Sequence, residues 1–227
     1  LGYETLGICV FGFAQWLLDQ ARVKGLTKLY LLPNVSSLML PVCRELGRRK
    51  GQTAQVQELL LWPQGVERAR ARYQPFFRDQ GSVIPARDTL WRHLEESGVV
   101  RATRIGLVDL GFGDGLCHAD AARFLQPLLE SESQDTRIEC FSLAGFGEAE
   151  GEFAARGFIL DGGLPLRSAS ALQTALPLLG YFLSSWRGEL SGLSDDEKGV
   201  QPLYTPSPWP EQQALLQDIQ EHALRFA

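Results

Sequence analysis

The chain has 227 residues, 44% of them hydrophobic, with 22 basic and 27 acidic residues for a net charge of -5 and a pI near 5.3. That length buries one sizeable core, or a core with a small appended lobe, and the mixed charge offers no basic stripe for nucleic acid and no polybasic membrane anchor. The apolar stretches are too short or too interrupted to span a bilayer, and the N-terminus lacks the charged start of a signal peptide.

The chain opens at Leu1 and ends inside a helical pattern at Ala227, so we expect a piece of a longer protein. ICVFGFAQWLLDQARVKG carries apolar residues at helical spacing and stops at Lys24-Gly25, a good helix end. KLYLL follows as a buried strand, leading into an expected polar turn of Pro33, Asn34, Val35, Ser36 and Ser37. SSLMLPVCRELGRRKG reads as a second helix closing on Gly51, with Pro41 a place for a kink or restart, and AQVQELLLW as a second strand. From Gly65 to Gly98 the pattern turns helical and polar, with VERARARYQPFF, a turn around Gly81 to Pro85, and RDTLWRHLEESG. These residues form an expected helical cap at about 64–98. RIGLVDLG is the clearest strand and leaves at Asp109 into FGDG; HADAARFLQPLLES is a helix and RIECFSLAGF another strand. This alternation predicts a single α/β domain, Rossmann-like, with a largely parallel sheet and flanking helices.

Beyond residue 157 an irregular extension to 227 is expected. GFILDGGLPLRS is turn-rich, LQTALPLLGYFLSSW is an apolar helix or buried segment, and ELSGLSDDEKGVQPLYTPSPWP reads as loop. WPEQQALLQDIQEHALRFA closes the chain as an amphipathic helix with Pro210 in its first turn and Leu215, Leu216, Ile219, Ala223 and Phe226 on one face.

One segment has the residue types that phosphate or metal chemistry needs, VDLGFGDG at 108 to 115. Gly111, Gly113 and Gly115 let backbone N–H groups approach an anion, while Asp109 and Asp114 offer oxygens to a divalent cation. The same residues equally make a tight strand-to-helix connection in which Asp114 or Asp120 caps the helix. The spacing is neither G-x-G-x-x-G nor a P-loop. Ser36-Ser37 lacks a nucleophile elbow, and His93, His118 and His222 have no sequence partner to orient them as a triad. The RARAR run at 68 to 72 reads as a solvated helix face that also suits an acidic or phosphate partner. Trp16, Trp62, Trp91, Trp186 and Trp209 are scattered, which fits packing better than a sugar platform. Cys9, Cys43, Cys117 and Cys140 lie far apart, without CxxC spacing or a nearby histidine pair. That pattern fits reduced core thiols in a cytoplasmic protein, not a disulfide framework or a zinc site.

In sequence order, LGYETLGICVFGFAQWLLDQARVKGLTKLYLL, RIGLVDLGFGDG, GELSGLSDDEKGVQPLY and LLQDIQEHALRF resemble a bacterial group of haloacid dehalogenase-like proteins. Members of that group are often fused to, or encoded beside, glycosyltransferases for surface polysaccharides. The landmarks are the opening GYE..G....GF..WL helix and the VD.G..G turn. In that group the first strand runs into an Arg-Asp-Gly turn whose Asp resembles the nucleophile; here Val35 stands in that position. Valine can serve neither as covalent nucleophile nor as magnesium ligand, and Asn34 is a poor nucleophile one residue out of register. The group's second strand ends in a Ser-Arg pair, where this chain has Trp62-Pro63.

The resemblance therefore implies a domain with no catalytic residue and no cofactor, placed in the cytoplasm or at the inner membrane through its partners. Its ligand-binding candidates are Asn34, Ser36, Asp109, Gly111, Gly113, Asp114 and Gly115. The partners implied are a glycosyltransferase domain or other polysaccharide-assembly protein, and a phosphorylated sugar or nucleotide sugar. The alternative is a magnesium-dependent phosphohydrolase with a shifted site holding the metal on Asp109 and Asp114.

Overall fold

Five parallel strands form the central sheet: β1 (Lys28–Leu31), β2 (Gln55–Glu58), β3 (Arg104–Asp109), β4 (Arg137–Gly145) and β5 (Arg156–Asp161), in the order β2-β1-β3-β4-β5. The structure, a computed structural model, describes residues 6–51, 54–78, 89–111, 116–132, 136–145, 153–161, 178–196, 199–206 and 209–226. Helices cover both faces. On one lie α1 (Gly7–Lys24), α2 (Pro33–Lys50) and α6 (Pro210–Phe226); on the other lie α3 (Pro63–Arg78), α4 (Thr89–Glu96) and α5 (His118–Glu132). The Rossmann-like α/β architecture read from the alternation of elements is the one observed.

Side-chain alternation along the strands divides the interior into two cores. Leu29, Leu31, Val108 and Phe141 pack with Phe13, Leu17, Leu38, Met39 and Ala223 on the α1–α2–α6 side. Tyr30, Ile105, Leu107 and Cys140 pack with Val66, Leu94, Leu125 and Leu129 on the other. Because β1 is buried on both faces, KLYLL reads as a continuous apolar run and shows no polar alternation. The segment expected as a cap thus contributes α3 and α4, whose Val66, Ala69, Leu90 and Leu94 share a core with the sheet. Helices α1 and α2 stop where expected, at Gly25 and Gly51, each with φ 62°, the left-handed conformation that glycine adopts most cheaply.

Several expectations change. The polar turn at Pro33 to Ser37 is the first turn of α2, with Pro33 at the helix start and Leu32 extended before it; proline suits both a turn and a first helical position. Pro41 lies inside that helix without ending it. Strand β2 stops at Glu58; the Leu59 N–H still donates to the Leu31 carbonyl, and Leu60 to Trp62 of the expected strand leave the sheet.

The C-terminal extension is more regular than expected. ELSGLSDD and GVQPLYT, read as loop, form an antiparallel hairpin of β6 (Glu189–Asp196) and β7 (Gly199–Thr205). On α6, Leu215 is 57% exposed whereas Gln220 is 3% exposed, so the buried stripe runs through Leu216, Gln220 and Ala223. The turn expected at Gly81 to Pro85 lies outside the described residues, as do Gly113, Asp114 and Gly115. No helix among the described residues is long and apolar enough to cross a membrane.

Candidate functional site

The strand order reverses direction between β1 and β3, which sit side by side with the rest of the sheet running outward from them. In open α/β sheets the crevice beyond the carboxyl ends at such a switch point is where ligands bind. Here that edge carries Pro33 and Asn34 after β1, Leu61 to Pro63 after β2, and Asp109 to Gly111 after β3.

A pocket of about 420 Å³ opens beside it, within the usual range of small-molecule sites. Its floor is Pro33, Asn34, Leu61, Trp62 and Leu116, and its wall comes from the C-terminal part of the chain: Tyr181, Ser184 and Ser185, then Glu189 and Thr205 of the hairpin, then Gln212, Gln213 and Leu216 of α6.

The wall is fastened at several points. Gln220 of α6 donates from Nε2 to the carbonyls of Phe182 at 2.9 Å and Ser184 at 2.8 Å. Arg187 lies 3.9 Å from Glu58 at the end of β2. At the far end of the hairpin, Arg92 of α4 pairs with both carboxylate oxygens of Asp195, at 2.6 and 2.7 Å. Trp62 is seated by Gly65, where an added Cβ would collide with the indole ring.

Around the start of α2 the candidate residues point in different directions. Asn34 lines the pocket, and its Oδ1 is buried without a hydrogen-bond partner. Val35 is fully buried in the core on the α1–α2–α6 side. Ser36 is 2% exposed, and its hydroxyl donates to Glu58 Oε1. The backbone N–H groups of Val35 and Ser36 both go to the Leu32 carbonyl, and Pro33 has no N–H.

Asp109, 1% exposed, sits at the end of β3 in register with Ser142 of β4. Its Oδ2 accepts the backbone N–H of His118 at 2.8 Å and lies 2.9 Å from the ring Nδ1 of His118. One carboxylate oxygen thus fastens the start of α5, where unpaired helix N–H groups need an acceptor. Oδ1 of Asp109 and the Ser142 hydroxyl are buried without partners. Gly111 has φ 78°, and an added Cβ would collide with the Ala144 carbonyl oxygen, so the chain must cross close over β4 there. Of the candidate metal pair, Asp109 is placed and Asp114 lies outside the described residues. Among the described residues no three His, Cys, Asp or Glu side chains converge.

The remaining reactive groups are quiet. Cys117 adjoins His118 in sequence, but its thiol donates to Asp120 Oδ2 at 3.2 Å, and burial pushes its pKa up. Burial likewise pushes Cys43 and Cys140 up to about 12, so these thiols stay protonated and unreactive. His93 accepts the Leu60 backbone N–H at Nε2, 2.9 Å away, and burial holds it at about 4. Trp62 and Tyr181, which line the pocket, were not expected as site residues. The signal available for Trp62 was its place at a strand exit; Tyr181, Gln212 and Gln213 reach the site only through the fold. No protein-family model matches the sequence, and no curated protein matches it either.

Proposed function

We propose that the chain is a degenerate haloacid dehalogenase-like domain that binds or scaffolds, without turnover, in bacterial surface polysaccharide biosynthesis. One observation carries the reading: Val35, Trp62 and Asp109, the positions on which the resemblance turns, follow three adjacent parallel strands at one edge of the sheet. The carboxyl ends of parallel strands share one edge, so these three positions lie around one crevice of the kind where α/β sheets bind ligands. Two of the three hold side chains unfit for phosphoryl transfer. Val35 has no heteroatom and faces the core; Trp62 supplies an aromatic ring where a hydroxyl and a guanidinium would serve phosphate. A glycosyltransferase domain, in the same chain or beside it, is the partner the resemblance implies.

Magnesium binds through several oxygens in near-octahedral order, usually with one or two carboxylates. Among the described residues that edge offers one unpartnered carboxylate oxygen, Asp109 Oδ1, and no step is assigned to the ion. A second reading, a phosphohydrolase using Asp109 and Asp114, draws on that same unpartnered oxygen. Phosphate release from a panel of phosphomonoesters with magnesium, compared between wild type and Asp109→Asn, separates the two readings. The proposal expects no release above background from either protein. Release that disappears in Asp109→Asn would overturn it.

A further inference from the structure

We propose that the 420 Å³ pocket takes an uncharged, hydroxyl-rich sugar unit, recognised by aromatic and amide side chains and not through a phosphate group. The inference rests on the reading of this cleft as a binding site and specifies its ligand. Trp62 and Tyr181 bring aromatic rings to the pocket. Their electron-rich faces suit the weakly positive C–H face of a pyranose, while the sugar's hydroxyls remain free to bond.

Those hydroxyls both donate and accept, and the lining matches them. Asn34, Gln212 and Gln213 supply amides and Ser184 and Thr205 supply hydroxyls, groups that each act as donor and acceptor. The buried Oδ1 of Asn34 has no partner within the protein, which leaves an acceptor unsatisfied at the pocket.

Charge argues against a phosphate in the same place. Glu189 is the sole charged side chain among the described lining residues, which include no Lys, Arg or His. Arg187, two residues before Glu189, is turned to Glu58 and to the rings of Trp186 and Tyr204. The start of α2 does not make up the deficit. Pro33 lacks an N–H, and those of Val35 and Ser36 are spent on Leu32, so the amides that usually hold an anion at a helix start are largely taken.

The test is ligand-observed NMR on the chain with methyl α-glucoside, methyl α-galactoside and methyl α-mannoside, alongside glucose 1-phosphate and inorganic phosphate. Wild type is compared with Trp62→Ala, Asn34→Ala and Gln213→Ala, each checked for folding by circular dichroism, and with Trp209→Ala as a control outside the pocket. The expected result is saturation transfer to at least one uncharged glycoside, weakened at least about tenfold in Asn34→Ala and Trp62→Ala and unchanged in Trp209→Ala. Binding seen with glucose 1-phosphate alone and displaced by inorganic phosphate would overturn the inference while leaving the cleft a ligand site. Glycoside binding indifferent to both Asn34→Ala and Trp62→Ala would also overturn it. Failure of every probe to bind at millimolar concentration would overturn the inference together with the reading of the cleft.

Discussion

His93 makes the protein acid-sensitive through a single buried hydrogen bond. Its ring is 8% exposed, and Nε2 accepts the Leu60 N–H at 2.9 Å, which requires that nitrogen to be unprotonated. Desolvation lowers its pKa from 6.5 to about 4, with Glu96 opposing weakly. The folded state therefore refuses a proton that the unfolded chain accepts. The stabilisation is complete above pH 6.5 and is lost progressively as the pH falls to about 4. At about 1.4 kcal/mol per pH unit the loss comes to about 3 kcal/mol, a large part of the about 5–15 kcal/mol of a typical domain.

Urea unfolding at several pH values between 7 and 4, for wild type and His93→Gln, isolates this share. Glutamine can still accept from Leu60 but does not titrate, so acid effects common to both proteins cancel in the difference. The wild type should lose about 3 kcal/mol more than the variant over that interval. At pH 7, His93→Leu should cost about 1–3 kcal/mol, because the Leu60 N–H is left buried and unpaired. Equal losses in wild type and His93→Gln, or an NMR titration of His93 near 6.5, would refute the reasoning.

Other substitutions probe the elements that position the site. Gly111→Ala should cost more than about 2 kcal/mol by urea midpoint, since it adds a clash with Ala144 to a left-handed backbone; Gly51→Ala, with open space around it, should cost about 1–2 kcal/mol for the backbone alone. Gln220→Ala should destabilise by about 1–3 kcal/mol, and hydrogen exchange should show faster opening of α6 as the Phe182 and Ser184 carbonyls lose their donor. Arg92→Ala should barely move the urea midpoint, and less still in high salt, because its pairing with Asp195 is solvent-exposed.

The central domain was legible because its signals are local. The apolar runs of β1 and β3, the glycine stops of α1 and α2, and the strand exit at Asp109 each need only neighbouring residues. The start of α2 was not, since Pro33 serves a turn and a helix start alike. The hairpin was hidden because it barely joins the core. Leu190 is its one buried side chain among the described residues, and its contacts, Leu193 against the core and Arg92 with Asp195, reach residues distant in sequence, so no alternation marks it. Gln220 was hidden in the same way, as a polar residue buried because two carbonyls of another segment need its amide. The candidate site was half visible. Asn34 and Asp109 stand at strand exits where they were sought, but the partnership of Asp109 with His118 and the pocket wall of Tyr181, Gln212 and Gln213 arise from tertiary packing.

The most direct test of the account is a calorimetric titration of magnesium into wild type and Asp109→Asn. With Val35 in the core and one unpartnered carboxylate oxygen, Asp109 Oδ1, at the described edge, the proposed non-catalytic reading predicts no saturable heat from either protein. Stoichiometric binding to wild type that is lost in Asp109→Asn would contradict it, and would mean that a working metal site persists at the carboxyl end of β3.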